Sequence, residues 1–175
     1  MQIPVVITGP QPVVTAADAR NALVFTDDDE DSYINMLLAV AQSQLEGSDG
    51  TLRRSIGLQT LELTVPARWI VDTSRLPLPD YINTVSDTPS SDGRSRAFRW
   101  LAGYETSAKV PAAIKHGIIL MAGVLRDATP SEGGFLKRKT VEGVGSREYT
   151  LPDGAAAAMR TAADHLLRQY RAPRV

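Results

Sequence analysis

A run of five acidic residues, Asp27 to Asp31, is the part of this sequence that most resembles a cation-binding site. Hard cations such as Ca2+ are bound by several carboxylate and carbonyl oxygens. An EF-hand loop beginning at Asp27 would need glycine at its sixth position and glutamate at its twelfth, but this chain has Ser32 and Leu38 there. The run therefore favours an anionic helix start, stabilised by the positive end of the helix dipole, with a metal site as the less favoured alternative.

The two histidines, His116 and His165, are the side chains best suited to general acid–base catalysis near neutral pH. His116 lies in an apolar helical pattern, and His165 follows Asp164, but adjacent residues on a helix project in different directions. Neither histidine has a nucleophile and an orienting third group at a recognisable spacing. The phosphate-binding patterns GxxxxGKS/T and GxGxxG do not occur in the sequence. We therefore expect no catalytic residue and no cofactor.

Three consecutive basic residues, Lys137, Arg138 and Lys139, lie within the glycine-containing stretch 129–154. Basic side chains on a mobile loop can neutralise nucleic-acid phosphates without reading the base sequence, and three charges in one chain give a weak contact. That contact would become significant if it were repeated around a ring. The alternative is a solvated loop with no binding role, and the sequence leaves both open.

The last helical pattern, at about 155–170, has an apolar face made of Met159, Ala162, Leu166 and Tyr170. Their spacing of three and four residues places these side chains on one side of a helix. Such a helix can pack on the core of its own subunit, or it can dock in the groove of a partner. Both interpretations stay open, and a helix at an oligomer interface can serve both purposes.

Three earlier helices are indicated by capping and by apolar periodicity. Thr15 and Asp18 form a capping-box pattern for a short helix that ends near Leu23. A second helix follows the acidic run, and Pro111 suits the first turn of a third. The predicted core positions are Ile34, Leu37, Leu38, Ala41 and Leu45 in the second helix and Ile114, Ile118, Met121 and Leu125 in the third.

Apolar and polar residues alternate over Leu61–Val65, which predicts a strand that ends at Pro66. Trp69–Val71 is predicted to pair with it as a second strand, and Arg96–Tyr104 has a further strand-like composition. The polar stretch 86–95 is predicted to be a turn-rich connection.

These elements predict a mainly α fold, a compact helical domain of about four helices with a small antiparallel β element. We expect a helical core domain at 1–128, a long flexible loop at 129–154, and a C-terminal docking helix and tail at 155–175. A hydrophobic fraction of 43% is enough for a packed core, and a net charge of -1 argues against a dedicated DNA-binding domain. The chain has no cysteine and no apolar run of membrane-spanning length, so we expect no disulfide and no membrane segment.

Four segments carry a family likeness through their order and spacing. The first, Val14–Gly47, runs from a short helix through the acidic turn into a longer helix. The second, Gln59–Pro79, contains a QTxEL element followed by RLPLP. The third, Ala102–Asp127, leads from GY…VPxxIK into the apolar helix, and the fourth, Val144–Arg171, is the closing VGSxxY…LLxxYR. Together they resemble the head–tail connector family of tailed phages and gene transfer agents.

The resemblance implies a structural role in a virion and no enzymatic activity. Proteins of this family form a ring, usually a dodecamer, beneath the portal, where they extend the DNA channel and provide the platform for tail or stopper proteins. The implied partners are the portal protein, neighbouring copies of this chain, a tail or stopper protein and non-specifically contacted double-stranded DNA, with no membrane. The implied location is the head–tail interface of a virion that is assembled in the host cytoplasm.

The resemblance also implies where this chain would contact its partners. Its terminal helix and tail would contact the portal, and its basic triplet would face the DNA. The implied portal-contacting residues are Met159, Ala162, Leu166, Tyr170, Arg171 and Arg174, and the implied channel-facing residues are Lys137, Arg138 and Lys139. Two alternative functions remain from the residues alone: a small helical DNA-binding or DNA-packaging accessory protein, and a metal-dependent enzyme built on the acidic run.

Overall fold

The structure, a computed structural model, describes residues 3–22, 24–25, 30–78, 80–128 and 155–172. The helices within these residues are α1 (Ala16–Asn21), α2 (Asp31–Leu45), α3 (Ala112–Ala128) and α4 (Ala155–Leu167). The strands are β1 (Val5–Thr8), β2 (Gln59–Pro66), β3 (Tyr81–Pro89) and β4 (Ser95–Ala102). Short 3-10 turns lie at Thr73–Arg75, Ser107–Lys109 and Arg168–Tyr170.

The four strands of the described residues form one antiparallel sheet in the order β1–β2–β4–β3. The fold is therefore mixed α/β, and the prediction of a mainly α fold is wrong. The two strands that were not predicted, β1 and β3, are the outer ones. Every residue of β1 is exposed, and most of β3 is exposed as well. Neither strand therefore has the alternation of buried and exposed residues that identifies a half-buried strand in a sequence.

The strand predicted at Trp69–Val71 is also wrong, because the chain turns immediately after β2. The Trp69 N–H donates a hydrogen bond of 2.9 Å to the Pro66 carbonyl, which closes a turn. Trp69–Val71 then continues without strand pairing. The partners of β2 are instead β4 and β1.

The first two helices begin where their sequence signals predict. The Thr15 hydroxyl accepts a hydrogen bond of 3.2 Å from the Asp18 N–H, and the Asp18 carboxylate accepts one of 2.9 Å from the Thr15 N–H. The contact with the Thr15 N–H and that with its hydroxyl hold the pKa of Asp18 below its ordinary value. In α2 the five predicted core positions are all buried, so its apolar periodicity is confirmed.

α3 is the central helix of the main core, as predicted, and both α2 and α4 pack against it. Ile114 and Ile118 are completely buried, whereas Met121 and Leu125 lie partly exposed at the edge of this core. The same core includes Val13 and Val14, which follow β1 in the chain. The helical core thus reaches from the N-terminal segment to α4.

The sheet has a separate apolar cluster on one of its faces. The strand register pairs Leu61 with Trp100 and Leu63 with Phe98. The aromatic ring centroids of Phe98 and Trp100 lie 5.8 Å apart. The connection between β2 and β3 folds back over this face, where Leu78 completes the cluster. The sheet is therefore covered on this face by its own loop.

The helical core and the sheet meet where two glycine backbones touch. A β-carbon at Gly103 would lie 2.3 Å from the Gly57 carbonyl oxygen, and a β-carbon at Gly57 would lie 2.2 Å from the Gln11 carbonyl oxygen. Gly103 also has a φ of +103°, which glycine adopts without steric cost. Next to it, the Tyr104 N–H donates a hydrogen bond of 3.0 Å to the Ile56 carbonyl. No side chain larger than hydrogen fits between these backbones.

Parts of the predicted organisation lie outside the described residues. The predicted flexible loop at 129–154 is one of them, and Asp27–Asp29 of the acidic run is another. In the described part of the chain, no helix combines the length and the apolar character that a membrane crossing requires.

We expect Gly103→Ala to destabilise the protein much more than Gly93→Ala. Both glycines have positive φ angles, +103° and +66°, so each alanine carries backbone strain of roughly 1–2 kcal/mol. The alanine at 103 also collides with backbone, whereas nothing lies within 4 Å of the β-carbon position at Gly93. Urea unfolding followed by circular dichroism should show a loss on the order of 3 kcal/mol or more for Gly103→Ala. Equal losses for the two variants would contradict the close approach.

Candidate functional site: the interaction surfaces

The groups that could take part in acid–base or metal chemistry belong to several elements of the described structure. His116 on α3 and His165 on α4 are both exposed. Among the described residues, which do not include Asp27–Asp29, no three His, Cys, Asp or Glu side chains are placed to hold a metal ion. Of the acidic run, Asp31 forms an ion pair with Arg20 of α1. This pair joins the start of α2 to the preceding helix.

Glu46, just after α2, is a buried carboxylate whose oxygens are occupied by the protein itself. Its Oε2 accepts hydrogen bonds of 3.0 Å from the N–H groups of Ile56 and Gly57, and its Oε1 accepts one of 3.0 Å from the Gln42 amide. Burial raises the pKa of Glu46, and the three hydrogen bonds oppose that rise, led by the one from Gly57. The carboxylate joins α2 to the segment that enters β2, so its role is structural.

Gln42, one turn earlier on α2, extends this network to the N-terminal segment. Its side-chain oxygen accepts a hydrogen bond of 3.2 Å from the Val13 N–H, and its Nε2 donates one of 3.0 Å to the Gln11 carbonyl. The same Nε2 group also donates to Glu46. The buried side chains of Gln42 and Glu46 thus satisfy backbone groups in the segment that precedes α2 and in the segment that follows it.

α4 turns its most apolar side toward its own subunit. Ala163 and Leu167 are each 1% exposed. The Leu167 side chain fits against Gly117 of α3, where a β-carbon would lie 2.9 Å from it. Met159 lies over Gly123 of the same helix, 3.4 Å from the corresponding β-carbon position. Of the two interpretations that the sequence left open, packing on the core of the same subunit is therefore present in the structure.

The residues predicted to contact a portal differ in how much surface they keep. Ala162 is exposed, Leu166 is half-buried, and Tyr170 packs against the helical core. Arg171 is exposed and forms an ion pair of 3.0 Å with Asp164. Met159 and Tyr170 are therefore partly used within the subunit, and portal contact stays a prediction for the whole set. Outside the described residues lie Arg174, Lys137, Arg138 and Lys139.

The chain beyond α4 is held on the segment between α2 and β2. The Ala172 N–H donates a hydrogen bond of 2.9 Å to the Leu52 carbonyl, and Arg54 Nη1 donates one of 3.2 Å to the Tyr170 carbonyl. Arg54 also donates two hydrogen bonds of 2.7 Å to the Asp80 carboxylate, which directly precedes β3. Beside this link lies a groove of about 430 Å³, lined by Asp49, Gly50, Thr51, Arg53, Arg171 and Ala172.

Exposed apolar side chains form further surfaces that sequence reasoning missed. Soluble proteins seldom leave neighbouring apolar side chains exposed without an interaction role. Trp69 and Ile70 protrude from the connection after β2, and the Ile70 side chain is 93% exposed. The exposed apolar residues in β1 are Val5, Val6 and Ile7, and Ile3 just before the strand is exposed as well. For β1 the available signal in the sequence was the uncharged run VVITG between Pro4 and Pro10, which is too short to carry a clear periodicity.

The fold is shared with a chain in the neck of a gene transfer agent particle. In the structure "Neck of empty GTA particle computed with C6 symmetry", that chain matches with a TM-score of 0.65 at 12% identity, over 99% of this chain and 97% of its own length. In "Virion of native gene transfer agent (GTA) particle", a chain matches with a TM-score of 0.64 at 12% identity, over 99% and 97%. No family model and no curated protein matches the sequence. At this identity, the likeness establishes a common fold.

We expect Glu46 to affect how stability depends on pH. Because the folded-state pKa of Glu46 is raised, the folded protein holds its proton more tightly than the unfolded chain does. Glu46 therefore contributes stability that is fully present below the unfolded pKa and is lost as pH rises through the folded pKa. Glu46→Gln removes this titration, so the stability advantage of the wild type over the variant should shrink as the pH rises above about 4, the ordinary range of a glutamate.

Urea unfolding of both proteins at a series of pH values measures this advantage. Glu105→Gln, at an exposed position, is the matched control and should show no comparable trend. A wild-type advantage that grew with pH would mean that the hydrogen bonds to Glu46 outweigh the effect of its burial.

We expect Arg54→Lys to loosen the tail, because an ammonium cannot reproduce the two-pronged contact with Asp80 and also reach the Tyr170 carbonyl. The loss of unfolding free energy should be about 2 kcal/mol, with faster hydrogen exchange at the Ala172 N–H. Arg75→Lys is the control, since Arg75 is exposed and its solvent-screened ion pair with Asp72 contributes little to stability. Similar losses for the two variants would contradict the proposed link.

Proposed function

We propose that this protein is a structural virion component, a head–tail connector that forms a ring beneath the portal of a phage or gene transfer agent particle. The observation that carries the proposal is the likeness over the whole chain: 99% of this chain matches a chain from a gene transfer agent neck. That neck was computed with C6 symmetry, and the proposal takes from it a cyclic arrangement of copies around a common axis. The ring would extend the DNA channel and carry a tail or stopper protein.

The proposed role is mechanical and the proposed location is the head–tail interface, after assembly in the host cytoplasm. A connector needs rigid subunits that present contact surfaces, and it needs no bond-making chemistry. The described residues are consistent with this role: the buried carboxylate of Glu46 accepts backbone hydrogen bonds, and the two histidines are exposed on α3 and α4.

For the portal contact we propose the exposed side of α4 and the tail that follows it. Packing of Ala163 and Leu167 on α3 holds α4 in one orientation, so that Ala162 and Arg171 are presented on a rigid support. Leu166 can contribute its exposed part. Met159, Tyr170 and Arg174 complete the proposed set, and Lys137, Arg138 and Lys139 are proposed to face passing DNA.

Each of these contacts is small, and the proposed ring makes them effective together. Once one subunit is bound, its neighbours are held at high local concentration, so that weak contacts add without new interactions. The basic triplet would likewise be repeated around the channel, where each neutralised phosphate contributes a salt-dependent share of the affinity. The long stretch 129–154 is proposed to serve as the arm that carries the triplet.

We expect Ala162→Glu to impair assembly on the portal, because a charged side chain would be placed in the proposed contact. Ala157→Glu is the matched control, since Ala157 is also an exposed alanine of α4 but lies roughly 140° around the helix from Ala162. Electron microscopy and quantitation of rings bound to the cognate portal should show a loss of at least about tenfold for Ala162→Glu and little change for Ala157→Glu. Both variants should keep the wild-type thermal unfolding temperature.

Equal assembly of Ala162→Glu and wild type would contradict the proposed portal surface. Failure of the wild-type chain to join the portal at all would contradict the connector function itself. In that case, salt-dependent binding of the isolated chain to double-stranded DNA would favour the alternative of a DNA-packaging accessory protein.

A further inference from the structure

Both outer edges of the sheet are open in the described structure. The order β1–β2–β4–β3 leaves one side of β1 and one side of β3 with no further strand among the described residues. An edge strand presents backbone N–H and C=O groups without partners, and soluble proteins usually guard such edges with charged residues. β1, Val5–Thr8, contains no charged residue, and all its residues are exposed. A register irregularity between Val6 and Thr8 gives this edge some protection.

The directions of the strands make the two edges complementary. β1 is antiparallel to β2, β2 to β4, and β4 to β3, so β1 and β4 run one way while β2 and β3 run the other. β3 is therefore antiparallel to β1. When a second copy in the same orientation is placed beside the first, its β1 lies antiparallel to the β3 of the first copy. The four-strand pattern then continues across the boundary without a break in alternation.

The side chains along the two edges also suit each other. On β3 the Val85 side chain is 53% exposed, and the one charged residue of the strand, Asp87, is paired with Arg96 at 2.7 Å. Apolar residues of β1 would thus meet an edge with no unpaired carboxylate, on which Val85 offers one cross-strand apolar pair at the register irregularity between Thr84 and Ser86. Proline cannot donate to a strand ladder, and Pro4 and Pro10 enclose β1. The paired segment is therefore short.

We propose that β1 of one copy pairs with β3 of the next copy, so that neighbouring subunits of the ring share one continuous antiparallel sheet. The inference rests on the proposed connector function, in which copies of this chain form a ring. A contact between two different patches is heterologous and can close into a ring, whereas pairing of β1 with β1 is two-fold and ends at a dimer. A short contact on each side fits assembly that becomes stable when the ring closes.

Cysteine cross-linking of the full-length protein tests this pairing. The chain has no native cysteine, so introduced thiols react alone. Val6, Val85 and Met36 have closely similar exposures of 51%, 53% and 53%. The double variant Val6→Cys/Val85→Cys, treated with a short bismaleimide that tolerates small differences in register, should give a ladder from dimers upward on denaturing gels. An equimolar mixture of the two single variants should stop at dimers, and Val6→Cys/Met36→Cys should give no ladder.

Cross-linking is measured both in concentrated free protein and in portal-bound rings. A ladder for the Val6–Val85 pair in either state, with the Met36 control negative, supports the pairing. Dimers from Val6→Cys alone, or no Val6–Val85 cross-link in either state, overturn it. Portal-bound rings without the cross-link would overturn the pairing while leaving the connector function intact. A ladder in a protein that never joins the portal would support the pairing and count against that function.

A charge on the β1 edge gives an independent measurement. Val6→Lys should reduce ring formation on the portal by about tenfold or more, because a lysine on the edge opposes strand addition. Met36→Lys, at an equally exposed position on α2, should leave ring formation unchanged. Both variants should unfold at the wild-type temperature, since both side chains are exposed. Equal ring formation by the two variants would count against the shared sheet.

Discussion

The hydrogen-bond network of Gln42 and Glu46 is the constraint on which the arrangement of the other elements depends. These two buried side chains take backbone partners from the N-terminal segment, at Gln11 and Val13, and from the entry to β2, at Ile56 and Gly57. A buried polar group without a partner costs about 1–3 kcal/mol, so each contact discourages any other placement of these segments. β1 lies before the network and β2 after it. The network therefore ties the segment after β1 and the segment before β2 to α2.

The helical core and the sheet leave different surfaces free. In the helical core, α3 provides glycines at positions 117 and 123, which let α4 approach closely enough to bury Leu167 and part of Met159. The sheet buries one face under its own β2–β3 connection, but its outer strands keep open edges. The helices thus pack on one another, whereas the outer strands of the sheet keep exposed backbone groups that another strand can bind in place of water.

Arg54 joins the two surfaces that the proposed assembly uses. Its guanidinium binds Asp80 at the start of β3 and the Tyr170 carbonyl at the end of α4. The tail, which is proposed to contact the portal, and β3, which is proposed to contact the next subunit, therefore share one anchor. A displacement of either element would act on the same partly buried side chain. In the proposed assembly, this arrangement would give portal binding and subunit contact a physical route by which to influence each other.

The helices and the two inner strands could be predicted from the sequence because their signals are local. The capping box at Thr15, the apolar stripe of α2, and the proline before α3 each specify an element through neighbours in the chain. The alternation over Leu61–Val65 did the same for β2, because this strand has one buried face. For the candidate site, the sequence identified the apolar face of the last helix but not its exact centre, which the structure has at Ala163 and Leu167.

The sequence by itself therefore determined the helices, the inner strands and most of the positions by which α2 and α3 enter the helical core. Tertiary structure alone decided that β1 and β3 are strands, since exposed edge residues have no buried face to impose a period of two. It also decided the partners of Glu46 and Arg54. These contacts join residues up to 116 positions apart in the chain, and no local pattern encodes which distant backbone group a buried charge will meet.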